Sequence, residues 1–321
     1  MSTTATAHPI LCLTMNPSVD LATDTEQVVP THKLRCGPTL HDAGGGGVNV
    51  ARVLTRLGGR CLSLCPQGGP TGHWLEQRMR AEGLDVRFLA IGEETRVSFT
   101  VHETRSGSEF RFVMPGPTLT EPEWQAALAM VDTLDPFPAW VVASGSLPPG
   151  VPVDFYAQLA RRVRARGGRL VLDTSGAPLK AALEAGVYMV KPNLRELSDL
   201  CGRPLEDAIA WHAAARVLVQ QGKAEVVALT LGHLGATLMT ADEAWTTPAL
   251  PVTVSSAVGA GDSFVGGMLW ALQQGKALKE AFTWGVASGT AALVSVGTGL
   301  CQPADVHRLQ PLVQPCAVPL Q

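Results

Sequence analysis

Along most of the chain, short apolar runs alternate with segments in which apolar residues recur every three to four positions. The runs at 10–15, 61–65, 140–143, 169–172, 188–190 and 226–231 predict strands. The helical spacing predicts helices over 48–57, 71–82, 155–165, 178–184, 194–200, 205–221, 261–274 and 278–296. A strand followed by a helix, repeated in this way, is the order of a mostly parallel sheet with helices on both faces. Continuously apolar strands fit burial on both faces. The predicted class is α/β, in three layers.

One region departs from that rhythm. Residues 96–104 alternate, with Val97, Phe99 and Val101 on one side; 105–108 supply a Gly-containing turn; 109–114 alternate again with Phe110, Phe112 and Met114. This predicts a hairpin projecting from the main sheet. A second extended stretch, 20–40, has little helical periodicity, and the two stretches are expected to pair as a small β-sheet lid. No long linker, internal repeat or low-complexity tract interrupts the chain, so 1–321 reads as one domain. The proline-containing tail after Cys301 is expected to wrap the surface.

Composition narrows the function classes. Of 321 residues, 46% are hydrophobic and only 17% charged, which supports one large core and excludes disorder. The mean hydropathy is slightly positive, yet no apolar run approaches the roughly 18 residues of a membrane span. The net charge is −3, and the only basic cluster, Arg161, Arg162, Arg164 and Arg166, reads as a solvated helix face. Neither a nucleic-acid nor a membrane partner is expected. Seven cysteines without a C-x-x-C pair, and an N-terminus without a basic n-region, point to a reduced, cytoplasmic protein.

The strongest chemical signal is Ala257-Val-Gly-Ala-Gly-Asp-Ser-Phe264 ahead of a helical run. Glycines at a helix start let the backbone turn sharply and expose free N–H groups, which with the helix dipole make a phosphate site. Asp262, at the end of that turn, is placed to accept a proton from an attacking hydroxyl. The alternative is an ordinary N-cap. A second signal is Lys191-Pro-Asn-Leu-Arg-Glu-Leu197: Asn193 and Glu196 have the spacing of a capping box, or they flank Mg²⁺ through waters, with Lys191 toward nucleotide phosphates.

A third is Ala43-Gly-Gly-Gly-Gly-Val-Asn-Val-Ala-Arg52, where Gly44 to Gly47 remove side chains from a place where a ligand must lie against backbone. It is neither a dinucleotide fingerprint nor a Walker A loop. Asn16 and Asp20 follow the first strand, where open α/β sheets place ligand contacts. Lys33, Arg35 and Arg96 are lid candidates for a phosphate. Ser144-Gly-Ser-Leu-Pro-Pro-Gly150 ends a strand in a rigid turn, and Thr230-Leu-Gly-His-Leu-Gly235 could line an adenine side.

Together these residues resemble the ribokinase-like (PfkB) carbohydrate kinase family, over nearly the whole chain from Met15-Asn-Pro-Ser-Val-Asp20 to Gly297-Thr-Gly299. The resemblance implies a ribokinase-like fold with a lid over the sugar site, Asp262 as base, and an anion hole from the backbone of Gly259, Ala260, Gly261 and Asp262. It implies Asn193 and Glu196 as Mg²⁺-organising residues; Lys191, Asn193, Thr230, Gly232 and Gly235 on the nucleotide; and Asp20, Lys33, Gly45, Gly46, Asn49, Arg96 and Ser144 on the sugar phosphate. Within the family the phosphofructokinase branch fits best. Branches acting on fructose 1-phosphate or tagatose 6-phosphate typically carry Lys where Gly46 stands, and the type acting on fructose 6-phosphate carries Gly. The implied reaction is ATP-dependent phosphorylation of fructose 6-phosphate at the 1-hydroxyl. Kinases of the other two sugar phosphates, and a non-catalytic sugar-phosphate sensor, are the competing readings. ATP and Mg²⁺ are the implied cofactors. Ala257 and Gly299 depart from the usual residues near a loop that binds a monovalent cation in some relatives, which leaves K⁺ weakly implied. A homodimer through the lid is expected.

Overall fold

The computed structural model describes residues 10–295 and 299–319. In its first part the chain runs β1 (Ile10–Leu13), β2 (Ser18–Thr25), β3 (Leu40–Gly44), α1 (Gly46–Arg56), β4 (Cys61–Gln67), α2 (Gly69–Ala81), β5 (Asp85–Ala90), β6 (Arg96–Glu103) and β7 (Glu109–Phe112). Then follow α3 (Glu121–Asp132), β8 (Trp140–Ser144), α4 (Phe155–Ala165), β9 (Arg169–Asp173), α5 (Gly176–Ala185), β10 (Val187–Val190) and α6 (Leu194–Cys201). The last part holds α7 (Ala208–Gln220), β11 (Ala224–Thr230), β12 (Ala236–Met239), β13 (Ala244–Thr247), α8 (Ala260–Gln273), α9 (Leu278–Leu293), α10 (Pro303–Leu309) and β14 (Cys316–Ala317).

The main sheet has the order β14-β13-β12-β11-β10-β9-β8-β1-β4-β5. Its strands are parallel from β11 to β5, and β12, β13 and β14 add on antiparallel. Strand β1 shows why the class was legible. Ile10 and Cys12 pack into the layer of α1, α2, α8, α9 and α10, while Leu11 and Leu13 pack into the layer of α3 to α7. Both faces are covered, so no position is left for a polar residue. The strand order reverses between β1 and β8, and the crevice past their C-terminal ends is where such sheets place ligands.

The lid is a separate four-stranded sheet, β3-β2-β6-β7. The two expected stretches do pair, with β2 parallel to β6 from Ser18↔Arg96 to Thr25↔Glu103. Strand β3 is a departure: the extended stretch does not stop at residue 40 but runs antiparallel to β2 up to Gly44. Its sequence, Leu-His-Asp-Ala-Gly, has little strand propensity of its own, and the pairing with β2 imposes the conformation.

Other expectations are corrected or extended. The helix α3 was not anticipated, although Thr120 and Glu123 form a full capping box with Pro122 behind it. The tail after Cys301, expected to wrap the surface, carries elements that were not predicted: α10 buries Val306 and Leu309, and β14 extends the main sheet. The helix expected to reach 296 ends at Leu293; residues 296–298, including Gly297 and Thr298, lie outside the described residues. The arginine cluster is exposed, as a solvated helix face should be, and it also reaches neighbouring elements. Arg162 pairs with Asp132, Arg166 donates to the carbonyls of Asp132 and Leu134, and Arg164 donates to that of Ala185, so the cluster caps the ends of α3 and α5. Among the described residues no helix is long and apolar enough to cross a membrane.

Candidate active site

Five chain segments converge past the ends of β1, β8, β9 and β10, around a cleft of about 260 Å³ lined by Gly46, Ser144, Asp173, Thr174, Glu196 and Asp262, among others. The glycines explain how backbone from different elements comes so close. A Cβ on Gly46 would stand 2.1 Å from Ser144 Oγ and 2.9 Å from the amide nitrogen of Gly145. A Cβ on Gly44 would stand 2.1 Å from Asp20 Oδ2. A side chain at Gly46 would require the backbone at Ser144 and Gly145 to shift, and one at Gly44 would require the Asp20 side chain to move.

Asp262 lies in the first turn of α8, after Gly259 in the left-handed region at φ 72°. The amides of this first turn have no acceptor within the helix and carry the positive end of its dipole. The Asp262 carboxylate is half-buried and held by two donors: Asn49 Nδ2 at 2.9 Å on Oδ2 and Ser144 Oγ at 3.3 Å on Oδ1. Burial, followed by the charge of Asp173, pushes its pKa up to about 7; the bonds from Asn49 and Ser144 and the charge of Lys191 resist that rise. A carboxyl near neutrality can both take and release a proton at physiological pH.

Lys191 is 5% exposed and pairs with Asp173 at 3.2 Å. Burial alone would lower its pKa, but the carboxylates of Asp173, Glu196 and Asp262 outweigh burial and keep it a cation. Its ammonium flanks the first turn of α8, because a Cβ on Gly261 would meet Lys191 Nζ at 3.2 Å. Asp173 is the residue the motifs missed. It ends β9 on the cleft, and its only signal is an acidic residue closing an apolar run, Arg169-Leu-Val-Leu-Asp173. Burial raises its carboxyl against the pull of Lys191.

Asn193 and Glu196 form the capping box of α6. Asn193 Oδ1 accepts from the Glu196 amide and Glu196 Oε2 accepts from the Asn193 amide, both at 2.9 Å. The structural alternative is therefore realised, and the Asn193 side-chain oxygen is engaged on its own helix. Glu196 has a second oxygen and also lines the cleft, with its pKa raised first by burial. Up to three carboxylates thus face one ammonium, a surplus of negative charge that nucleotide phosphates would meet as repulsion. A divalent cation removes that conflict, and Mg²⁺ needs only one or two carboxylates beside phosphate oxygens and water. Among the described residues no group of three or more His, Cys, Asp or Glu side chains is arranged to hold a metal ion by itself, so this donor set fits Mg²⁺ shared with phosphate and water and not an all-protein metal cage.

On the β11 side, Thr230 bridges to Asn193 and its amide donates to the Pro192 carbonyl at 3.0 Å. Gly232 faces open space at φ 59°. Gly235 has a packing reason to be glycine: a Cβ there would lie 2.0 Å from the Thr247 carbonyl oxygen.

The sugar-side candidates are less gathered. Asp20 receives Ser18 Oγ at 2.5 Å, and burial raises its carboxyl against Ser18 and the arginines 96, 111 and 52. Gly45 sits at φ 106°, against Thr14 and Pro17. Arg96 is not an open phosphate grip: Nη2 donates to the Asn16 carbonyl and Nη1 to that of Met114, each at 2.9 Å, and Nε to that of Pro17 at 3.4 Å. Lys33 is exposed in the lid, with no hydrogen bond or ion pair among the described residues. Asn49 and Ser144 point at Asp262 itself.

The profile of pfkB family carbohydrate kinases matches residues 13–305, a span that includes every one of these residues. The chain belongs to the pfkB family of carbohydrate kinases. This kinase is 42% identical over 299 residues to the ATP-dependent 6-phosphofructokinase isozyme 2 of Mycobacterium tuberculosis, covering 93% of this chain and 88% of that one. It is 34% identical over 266 residues to the 1-phosphofructokinase of Xanthomonas campestris, covering 82% and 83%. Its fold matches the crystal structure of phosphofructokinase-2 from Escherichia coli in complex with fructose-6-phosphate at TM-score 0.90 and 37% identity, over 95% of this chain and 99% of that one. The family match and this overlay agree with the ribokinase-like architecture described above, parallel sheet and lid included.

Proposed function

We propose that this carbohydrate kinase transfers the γ-phosphoryl group of ATP to the 1-hydroxyl of fructose 6-phosphate, giving fructose 1,6-bisphosphate and ADP. The observation that carries the reading is Asp262: a half-buried carboxyl with a pKa of about 7, at the amino end of α8, facing a cleft closed on the opposite wall by Gly46 and Ser144. Asp262 accepts the hydroxyl proton as the sugar oxygen bonds to phosphorus and the bond from phosphorus to the β-phosphate bridging oxygen breaks. Amides at Ala260, Gly261 and Asp262 stabilise the charge on the transferring oxygens. Lys191 pairs with the phosphates, and Glu196 is the residue placed to hold magnesium, through water or directly. Bound magnesium would neutralise phosphate charge.

Asn49 and Ser144 donate to the Asp262 carboxylate. A substrate hydroxyl can replace them as donor, which frees both for sugar hydroxyls. Asp20, Lys33 and Arg96 form the 6-phosphate and sugar side once the lid closes. Gly46 supports fructose 6-phosphate over fructose 1-phosphate through the family pattern, in which the fructose 1-phosphate branch typically carries Lys at this place; here any side chain would press on Ser144 and the turn at Gly145. The 1-phosphofructokinase relatives keep fructose 1-phosphate as the second reading. Coupled ADP release with MgATP and fructose 6-phosphate, fructose 1-phosphate, tagatose 6-phosphate or fructose separates the two. The highest kcat/KM is expected for fructose 6-phosphate, and a higher value for another sugar would refute the substrate assignment.

The lid also exposes Leu34, Leu40, Phe112, Val113 and Met114. We propose that a second copy covers this apolar edge in a homodimer. Light scattering at working concentration is expected to give twice the chain mass of 33.8 kDa, and a monomer mass would reject it.

A further inference from the structure

Arg52 lies on α1, three residues after Asn49, and is 2% exposed. All three of its guanidinium nitrogens are used. Nη1 donates to the Ala43 carbonyl at 3.0 Å, Nη2 to Asp42 Oδ1 at 2.9 Å, and Nε to Glu82 Oε2 at 2.7 Å. Asp42 and Ala43 belong to lid strand β3, where they pair with Asp20 and Val19 of β2. Glu82, just past α2, also receives Arg78 at 3.0 Å, and Arg78 reaches Asp42 at 3.6 Å.

A buried ion network of this kind is weak grounds for stability, because desolvating the charges opposes their attraction. What it does fix is geometry. The planar fork of Arg52 holds the end of β3 and the second turn of α1 in one register. Between Ala43 and Val48, the first residue of α1 with a side chain, lie only Gly44 to Gly47, with no side chains to brace the backbone. That short span sets Gly46 against Ser144, and α1 presents Asn49 to Asp262. One side chain therefore ties the strand beside Asp20 to the helix that presents Asn49 to the base.

We propose that Arg52 is a positioning residue that couples the lid strand β3 to Asp262, through the Gly44–Gly47 span and Asn49. It touches no substrate. The inference rests on the kinase reading for its kinetic half, and its structural half stands apart from that reading.

The test pairs two variants in the full-length protein. Arg52→Met keeps the apolar stem and removes the donors. Glu82→Gln leaves the Arg52 bonds to Ala43 and Asp42 in place and weakens the ion pairs that Arg52, Arg56 and Arg78 make with Glu82. For Arg52→Met, kcat should fall and the KM for fructose 6-phosphate should rise, each by about tenfold or more, since small misplacements at a reacting centre are costly. The KM for MgATP should stay near wild type. Glu82→Gln should lower Tm yet keep both kinetic constants near wild type. Amide hydrogen exchange over residues 42–49 should quicken in Arg52→Met and not in Glu82→Gln. If Arg52→Met retains wild-type kcat and KM, or if Glu82→Gln loses activity in step with its lost Tm, Arg52 acts through stability alone and the proposal is overturned. Should Arg52→Met fail to fold, Asp42→Asn replaces it with the same expected pattern. If the wild-type protein turns over none of the sugars, the kinase reading falls, and the exchange experiment decides the coupling by itself.

Discussion

The cleft wall and the neighbouring lid differ in how their charged groups are engaged. On the side of α8, β9 and β10, every charged group already has its partner: Asp262 its two donors, Lys191 its carboxylates, Glu196 its cap. On the lid side, Lys33 projects into solvent, and Arg96 spends its donors on three main-chain carbonyls. The phosphoryl-transfer wall is preorganised by buried packing on a parallel sheet. On the proposed reading, the sugar phosphate meets a small sheet whose Arg96 would have to exchange backbone carbonyls for it. Preorganisation is inexpensive where helix termini and strand ends meet in a core, whereas a wall that must admit and release substrate has to move.

Substitutions on the cleft wall and on the lid should therefore fail differently. Asp262→Asn should lower kcat by about three orders of magnitude or more with sugar-phosphate binding nearly intact, because only proton acceptance is lost; single-turnover rates and a binding isotherm measure the two effects separately. Gly46→Ala should lower kcat by roughly a hundredfold, because the new Cβ must push Ser144 and Gly145 off their positions beside the base. Arg96→Ala should act mainly on KM for the sugar phosphate, raising it about tenfold, since a charge-assisted phosphate contact is worth roughly 1.5–3 kcal/mol and part of that is spent breaking the carbonyl bonds. Initial rates against fructose 6-phosphate check this, and an unchanged KM would remove Arg96 from the phosphate site. The smallest effect is expected from Asn193→Ala, which removes the cap of α6 and costs about 1 kcal/mol of stability, read as a lower Tm. A large loss of kcat there would assign Asn193 a direct part in organising the metal.

What was legible in the sequence followed the same division. Gly259-Ala-Gly-Asp262 could be read because a glycine turn, a helix start and an acid in fixed register have few purely structural reasons to coincide. The parallel sheet could be read because β1, β8 and β10 are apolar on both faces. Asp173 could not be singled out: one acid at the end of a strand has no register to distinguish it, and its significance arises from Lys191 arriving from another strand. Strand β3 was hidden because its residues are polar or small and its conformation comes from β2. The engagement of Arg96 was hidden for a different reason. Its acceptors are main-chain carbonyls, which every residue possesses, so no side-chain pattern announces them. The helix α3 stands apart, because Thr120 and Glu123 carried a legible start.

The proton-accepting role of Asp262 is best tested by the pH dependence of kcat/KM for fructose 6-phosphate in the wild type and in Asn49→Ala. The base works only when ionised, so with a pKa of about 7 the rate should rise with pH through neutrality and level off above it. Asn49 donates to the charged carboxylate and holds its pKa down, so Asn49→Ala should move the midpoint to higher pH. A rate that is flat between about pH 5.5 and 8.5, or a midpoint that Asn49→Ala does not move, would contradict the assignment of Asp262 as the titrating base.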